Sequence, residues 1–238
     1  MDITVSNVYN IGFWGIICAN NGIKGTPLML GLLAVVLLCS AVGYLCGSIN
    51  PAIFLSKRLY GRDIRECGSG NAGMTNMFRT FGKKAGLLTL LGESLKTAAA
   101  VVFGYLVYGV HGAWIAGLFC VVGHMFPAFY RFRGGKGVLV TAVLLLLTDW
   151  PVLIVSLIVF AIVLIGTKMV SLASIMSALM MPLLLNAYYA AVAGSGAAAG
   201  IRSPIAILIA AAVIVRHYGN IKRIREGKEP KINIGKKK

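Results

Sequence analysis

Long apolar runs, separated by short polar segments, dominate the pattern of this chain. Five of them are candidates for membrane-spanning helices, namely 28–46, 85–109, 113–129, 169–189 and 204–217. Continuous runs favour helices, because a helix satisfies its own backbone groups in lipid, whereas the strands of a membrane barrel alternate apolar and polar residues. The pattern therefore predicts an all-α integral membrane protein.

A further apolar run, 138–166, is too long for one span. As a single helix it would measure about 43 Å, against about 30 Å of hydrocarbon, and Asp-Trp-Pro at 149–151 interrupts it. If this run forms two helices, 20 of the 23 Lys and Arg residues lie in loops, helix ends or the tail on the same side of the membrane. The positive-inside rule makes that side the cytoplasm. The exceptions are Lys24, Lys96 and Arg202. We therefore predict seven transmembrane helices, some of them short, with the N-terminus outside and the C-terminus in the cytoplasm.

Composition supports one membrane domain. Hydrophobic residues make up 58% and charged residues 13%, against about 45–50% and 25% in soluble domains. We expect a single polytopic domain over 1–238, with 1–26 as an external N-terminal segment that includes an interfacial flap at 11–19, and 219–238 as a basic cytoplasmic tail. The net charge of +16 suits anionic lipids or phosphorylated substrates, and we expect no nucleic acid partner.

The first predicted inner loop is rich in glycine and in hydrogen-bond donors. Glycines let backbone N–H groups approach an anion, and hydroxyl, amide and guanidinium groups supply further donors for phosphate. A flexible loop whose charges only set topology is the alternative. The candidate phosphate-binding residues are Gly68, Ser69, Gly70, Asn71, Thr75, Asn76 and Arg79.

A second segment, 131–137, precedes the 138 helix. A glycine-rich turn at a helix N-terminus presents N–H groups and the positive end of the helix dipole to an anion. It is not a nucleotide-binding P-loop, because Tyr130 and Gly137 stand where that motif needs Gly and Ser or Thr. The candidates here are Gly134, Gly135, Lys136 and Gly137.

The third segment follows the last apolar run. His217 and Asn220 are three residues apart, so they share a face if the helix continues. A structural histidine among topogenic charges is the alternative. Within the membrane, Glu93 and Lys96 are also three apart, and they are interpreted either as a structural tie or as part of a site.

At these three segments the chain resembles the PlsY type of glycerol-3-phosphate acyltransferase, which uses acyl phosphate. The family motifs G-S-G-N-x-G-x-T-N, G-G-K-G and H-x-x-N-I-x-R stand here at 68–76, 134–137 and 217–223. The resemblance covers roughly residues 43–227. Among its departures, Ala72 and Met74 replace the usual Pro and Ala, and Glu93 replaces a usual Asp.

The resemblance implies transfer of a fatty acyl group from acyl phosphate to the sn-1 hydroxyl of glycerol 3-phosphate, giving lysophosphatidic acid and inorganic phosphate. It implies catalytic roles for Ser69, Lys136, His217 and Asn220, with the remaining candidates binding phosphate. We expect no cofactor and no metal, since the three His are far apart and acidic residues are few. The expected partners are the two substrates and the bilayer. We expect a monomer in the plasma membrane, with its active site facing the cytoplasm.

Two other functions also fit the basic loops. A transporter of a small phosphorylated anion would need a pathway to the outer side, where only Lys24 and Arg202 are predicted. A non-catalytic anchor that binds anionic lipid would gain about 1 kcal/mol per cation. Such an anchor would tolerate scrambling of the glycine-rich motifs.

Overall fold

The structure is a computed structural model that describes residues 26–194 and 199–232. Every regular element in these two ranges is helical, as the apolar runs predict. The predicted flap at 11–19, and nearly all of the external segment 1–26, lie outside the described residues.

The described elements comprise α-helices joined by short turns. The helices are α1 (Thr26–Ser48), α2 (Pro51–Tyr60), α3 (Met74–Phe81), α4 (Lys83–Met125), α5 (Val138–Thr148), α6 (Trp150–Thr167), α7 (Val170–Ala193), α8 (Arg202–Arg216) and α9 (Tyr218–Arg225). Internal contacts group them into two compact units, residues 1–148 with α1–α5 and residues 149–238 with α6–α9. The short helices α2, α3 and α9 carry the polar segments and were not predicted.

Helix α4 is a hairpin of two antiparallel arms. Its backbone leaves helical geometry at Tyr108 and Gly109, where Gly109 has φ 56° and ψ −148°, a conformation that favours glycine. The arms then meet so closely that a Cβ on Gly104 or Gly112 would overlap the carbonyl oxygen of the other residue. The two runs predicted at 85–109 and 113–129 are therefore two helical arms, as expected.

Glycine also sets the contact between α1 and the second arm of α4. A Cβ on Gly43 would overlap the backbone of Ala116, and one on Gly47 would overlap that of Cys120. Lipid tails are as apolar as a leucine side chain, so helices in a membrane associate largely through close packing, for which small residues are needed. This close contact holds α1 against the second arm of α4 within the first unit.

Among the described residues, four helical stretches are long and apolar enough to cross a membrane, and a fifth is obtained if α8 and α9, bent by 55°, count as one. Large apolar side chains such as Leu37, Leu95 and Ile165 are exposed along them, as expected of surfaces that face lipid. Seven spans would be reached if the two arms of α4 are counted as two spans and the short α5 as one more. The number seven and the orientation of the termini stay predictions.

The predicted break in the run 138–166 is confirmed. Helix α5 ends at Thr148 and α6 begins at Trp150. Between them, Asp149 is buried and its Oδ1 accepts a hydrogen bond of 2.6 Å from the Tyr189 hydroxyl. A buried carboxylate needs such a partner, which fixes the start of α6 within the second unit.

The described part of the predicted tail is folded. After α9 the chain turns at Gly227, which has φ 67°, and returns so that the Ile232 N–H donates to the Lys168 carbonyl at 2.8 Å. This return brings Glu229 into a buried position. Residues 233–238 lie outside the described part.

We expect Gly43→Ala to destabilise the protein. The added methyl group would overlap the Ala116 backbone, and overpacking of this kind costs about 1–3 kcal/mol. Gly166→Ala is the matched control, because nothing lies within 4 Å of the added Cβ and alanine favours the helix by up to about 1 kcal/mol. Thermal unfolding in detergent should show a lower midpoint for Gly43→Ala only. Equal midpoints would contradict the close contact.

Candidate active site

The first glycine-rich loop is held in shape by the side chain of Asn76. Its Nδ2 lies within hydrogen-bond distance of the carbonyls of Ile64, Cys67 and Asn71, at 3.2, 2.9 and 3.0 Å, and its Oδ1 accepts from the Ser69 N–H at 2.9 Å. Asn76 is 1% exposed. Asn76, which was predicted to bind phosphate, is therefore buried inside the loop, where its hydrogen bonds hold the loop in shape. A direct contact between Asn76 and phosphate stays a prediction.

The loop presents other donors at its surface. Ser69, Thr75 and Arg79 are exposed, and the side-chain hydrogen bonds and ion pairs of the described residues do not engage them. Gly68 and Gly70 have φ 58° and 72°, so they supply backbone turns that other residues rarely adopt. A hydroxyl, a second hydroxyl and a guanidinium are thus available for an anion.

The glycine turn is anchored to the end of α4. Gly134 donates its N–H to the Met125 carbonyl at 3.2 Å, and Gly135 donates to the His124 carbonyl at 3.0 Å. These two N–H groups, predicted to face phosphate, are therefore used inside the protein. The turn then passes through Gly137, with φ 80°, into α5, so the first turn of α5 and the half-buried Lys136 provide the positive charge.

The two loops lie against each other in the first unit. A Cβ on Gly135 would come within 2.7 Å of the Ala72 carbonyl oxygen. Asn50, the N-cap of α2, points its Nδ2 at the same carbonyl at 3.4 Å. The predicted phosphate segments 68–76 and 134–137 are therefore neighbours.

A second contact between the two loops comes from Arg65. Its Nη1 donates to the carbonyls of Tyr130 and Arg133, at 2.7 and 3.3 Å, and its Nη2 forms a 2.7 Å ion pair with Asp63. Hydrogen bonds from Arg65 hold the pKa of the Asp63 carboxyl well below its usual range. Arg65 therefore has a structural role, in which it holds the two loops together, and its guanidinium stays charged across ordinary pH.

In the second unit, His217 and Asn220 lie where α8 bends into α9. His217 is 2% exposed, and its Nδ1 lies 2.7 Å from the Val213 carbonyl, so Nδ1 carries the hydrogen of that bond. The Nδ2 of Asn220 donates to Glu229 Oε1 at 2.7 Å. The two residues are held in place by different partners, one on α8 and one on the tail.

Glu229 is a residue that the sequence analysis missed. Its carboxylate accepts from Ser171 at 2.7 Å, from Asn220 at 2.7 Å and from Arg223 at 2.8 Å. Burial disfavours its ionised form, but these hydrogen bonds outweigh burial and hold the pKa of Glu229 below its usual value. An acidic residue in a basic tail was the available signal, since a carboxylate there has many cations within reach.

A metal centre does not emerge from the described residues, in which no group of three His, Cys, Asp or Glu side chains is arranged to hold an ion. What the site offers is hydrogen-bond donors and cations. Such an arrangement can bind phosphate groups and stabilise negative charge that develops on oxygen.

Comparison with known proteins points to one family. A family model described as "Glycerol-3-phosphate acyltransferase" matches residues 37–227. The chain is 40% identical over 200 residues to "Glycerol-3-phosphate acyltransferase 2" of Bacillus cereus, covering 82% of this chain and 94% of the relative. It is 38% identical over 197 residues to "Glycerol-3-phosphate acyltransferase" of Enterococcus faecalis, covering 82% and 90%.

Solved structures agree with these relatives. The chain is similar to the crystal structure of PlsY (YgiH), an integral membrane glycerol 3-phosphate acyltransferase, in its glycerol 3-phosphate form, with a TM-score of 0.73 and 33% identity over 83% of this chain and 96% of that one. The lysophosphatidic acid form of PlsY gives a TM-score of 0.70 and 32% identity, over 83% and 95%. The helical arrangement is therefore shared with a membrane protein of known structure.

We expect Glu229→Gln to destabilise the protein in a pH-dependent way. Because the pKa of Glu229 is lowered by folding, the stability it contributes is present above the ordinary pKa of about 4.3 and is lost as the pH falls through the lower folded value. At pH 7 the variant should lose about 1.5–3 kcal/mol, the range for hydrogen bonds to charged groups.

The control is Glu226→Gln, whose parent side chain is exposed. Both variants keep Asp63, so its own acid titration cancels in the comparison. Unfolding measured from pH 7 to pH 3 should show the difference between the variants shrinking in acid. A difference that stays constant would contradict the role of the ionised carboxylate.

Proposed function

This chain belongs to the glycerol-3-phosphate acyltransferase family and is an integral membrane acyltransferase of phospholipid biosynthesis; on that premise we propose the reaction it catalyses. A fatty acyl group passes from acyl phosphate to the sn-1 hydroxyl of glycerol 3-phosphate. The products are lysophosphatidic acid and inorganic phosphate. This is the first acylation of phospholipid synthesis.

The names of the relatives support glycerol 3-phosphate as the acceptor. PlsY, which is 33% identical, is described in a glycerol 3-phosphate form and in a lysophosphatidic acid form. We assign the same acceptor and the same product to this chain. The net charge of +16 suits two anionic phosphate compounds, one of them delivered from lipid.

The observation that carries the proposal is the packing of the two phosphate-binding segments against each other. Segments 68–76 and 134–137 meet at Ala72 and Gly135, and side-chain donors stay exposed on the first of them. Two phosphate groups have to be brought together in this reaction. Adjacent loops with separate donors meet that requirement.

The chemistry asks little of a protein nucleophile. The acceptor oxygen attacks the acyl carbonyl carbon, a new C–O ester bond forms, and the bond between that carbon and the phosphate oxygen breaks. The hydroxyl proton passes to a phosphate oxygen of a substrate, so a side-chain base is not required. The protein contributes by aligning the reactants and by neutralising charge on the departing phosphate.

The residue roles follow from the three motifs and from the contacts described above. Ser69 donates a hydrogen bond near the reacting centre, and Lys136 with the N-terminus of α5 holds a phosphate. His217, whose Nδ1 is bonded to the Val213 carbonyl, binds glycerol 3-phosphate, and Asn220 assists it. The residues assigned to shaping the loops or binding phosphate are Gly68, Gly70, Asn71, Thr75, Asn76, Arg79, Gly134, Gly135 and Gly137.

Sidedness completes the proposal. We place the active site on the cytoplasmic face of the plasma membrane, with seven spans and the N-terminus outside, because the basic loops then lie inside. The acceptor would arrive from the cytosol and the donor from the bilayer. We propose that a monomer is sufficient, without a cofactor or metal.

We expect the purified, detergent-solubilised protein to release inorganic phosphate from palmitoyl phosphate only when glycerol 3-phosphate is present. Lysophosphatidic acid should form in equal amount, because each acyl transfer releases one phosphate. A parallel assay with palmitoyl-CoA should give no product. The measurement is a colorimetric phosphate assay combined with lipid mass spectrometry.

The rival functions give different results in the same experiment. A folded protein that releases no phosphate, yet carries glycerol 3-phosphate into vesicles, would be a transporter. A folded protein that does neither, but binds anionic vesicles, would be an anchor. Either result would contradict the proposed reaction.

We expect Lys136→Ala and Arg79→Ala each to lower kcat/KM by at least about 30-fold, which corresponds to about 2 kcal/mol of lost transition-state stabilisation from a charge-assisted hydrogen bond. Arg62→Ala is the matched control, since it removes an exposed cation from the first loop region outside the motif. Steady-state kinetics with both substrates varied would measure this. An unchanged kcat/KM in either variant would remove that residue from the site.

A further inference from the structure

A buried lysine lies beneath the two loops in the first unit. Lys96, on the first arm of α4, is 7% exposed. Its Nζ donates to the carbonyls of Gly47 and Ile49, both at 2.6 Å, and lies 3.2 Å from Nδ1 of His124. A buried ammonium is costly unless it is paired, so this arrangement calls for an explanation.

Glu93 lies one helical turn before Lys96, but the ion pairs of the described residues do not join the two side chains. Glu93 is 2% exposed, and its Oε1 has no hydrogen-bond partner among the described residues. The carboxylate reaches the first loop, because a Cβ on Gly73 would lie 4.0 Å from Oε1. Glu93 is thus located at the underside of the first loop, whereas the Lys96 ammonium contacts the end of α1.

The ammonium also determines the hydrogen position on His124. An ammonium has donors and no acceptor, so in the 3.2 Å contact His124 Nδ1 accepts. The hydrogen of a neutral ring is then on Nε2. Lys96 therefore fixes both the tautomer and the orientation of this ring.

The other edge of the His124 ring faces the junction of the two loops. A Cβ on Gly135 would overlap Nε2 of His124 and would approach the Ala72 carbonyl. The His124 backbone carbonyl also accepts the Gly135 N–H at 3.0 Å. A rotated ring would press on Gly135, and the turn that carries Lys136 would move.

We propose that Lys96 is a positioning residue, whose ammonium locks the His124 ring and through it sets the place of the glycine turn and of Lys136. Glu93 is the acidic residue one helical turn away on the same arm. The effect on acyl transfer rests on the function proposed above. The effect on the glycine turn does not, and it is measured separately.

The test uses the double variant Glu93→Gln/Lys96→Met, which removes both charges and leaves neither buried alone. Hydrogen–deuterium exchange with mass spectrometry follows the amides of 133–137. We expect exchange there to rise at least tenfold, while exchange in 30–45 of α1 stays unchanged. Lys84→Met, an exposed lysine on the same helix, is the control and should behave as the wild type.

Kinetics separates positioning from a general structural effect. We expect kcat/KM of the double variant to fall at least tenfold. In the Lys136→Ala background the same double substitution should have almost no further effect, because a cation that is absent cannot be misplaced. Equal losses in both backgrounds, or unchanged exchange in 133–137 of a folded variant, would overturn the proposal.

A second variant covers the case in which the double variant does not fold. His124→Phe keeps a ring of similar size and removes the Nδ1 acceptor, so the same rise in exchange and the same dependence on Lys136 are expected. Unchanged exchange in that variant would overturn the proposal as well. If the wild-type protein shows no acyl transfer, the proposed function is refuted. Hydrogen–deuterium exchange at 133–137 still tests, independently of activity, whether Lys96 positions the glycine turn.

Discussion

The arrangement of the first unit depends on the contact between the backbones of α1 and the second arm of α4. Glycine at 43 and 47 lets the two helices touch backbone to backbone. The carbonyl of Gly47 also accepts a 2.6 Å hydrogen bond from the Lys96 ammonium of the first arm. The end of the second arm supplies the His124 and Met125 carbonyls that anchor the glycine turn. Packing in the apolar region thus positions the polar site above it.

Most polar groups at the site serve the protein and few are left for a ligand. Asn76, Asn50 and Arg65 are bonded to loop carbonyls, and Glu229 gathers three donors in the second unit. The exposed donors of the first loop are therefore held by a preformed frame. Donors fixed before the reaction need no reorganisation when charge develops, which suits the acyl transfer that we propose.

The long apolar helices could be predicted because hydrophobicity along the chain is a local property. The break between α5 and α6 was predicted at Asp-Trp-Pro and is confirmed, and the glycine turn was recognised by composition. The sequence could not show that Gly134 and Gly135 donate to α4, because that pairing depends on how the chain returns to His124 and Met125. The roles of Asn76 and Glu229 were missed for the same reason. The same residue type can contact a ligand or another group of the protein, and only the fold decides which.

The bonded N–H groups of the glycine turn bear on inhibitor design. A compound that mimics phosphate only as a neutral hydrogen-bond acceptor would find the amides of Gly134 and Gly135 already occupied by carbonyls of α4. The groups that we propose for phosphate recognition at this turn are then Lys136 and the first turn of α5. Anionic, dispersed-charge groups such as phosphonates or sulfonates are therefore better starting points than amides or sulfones.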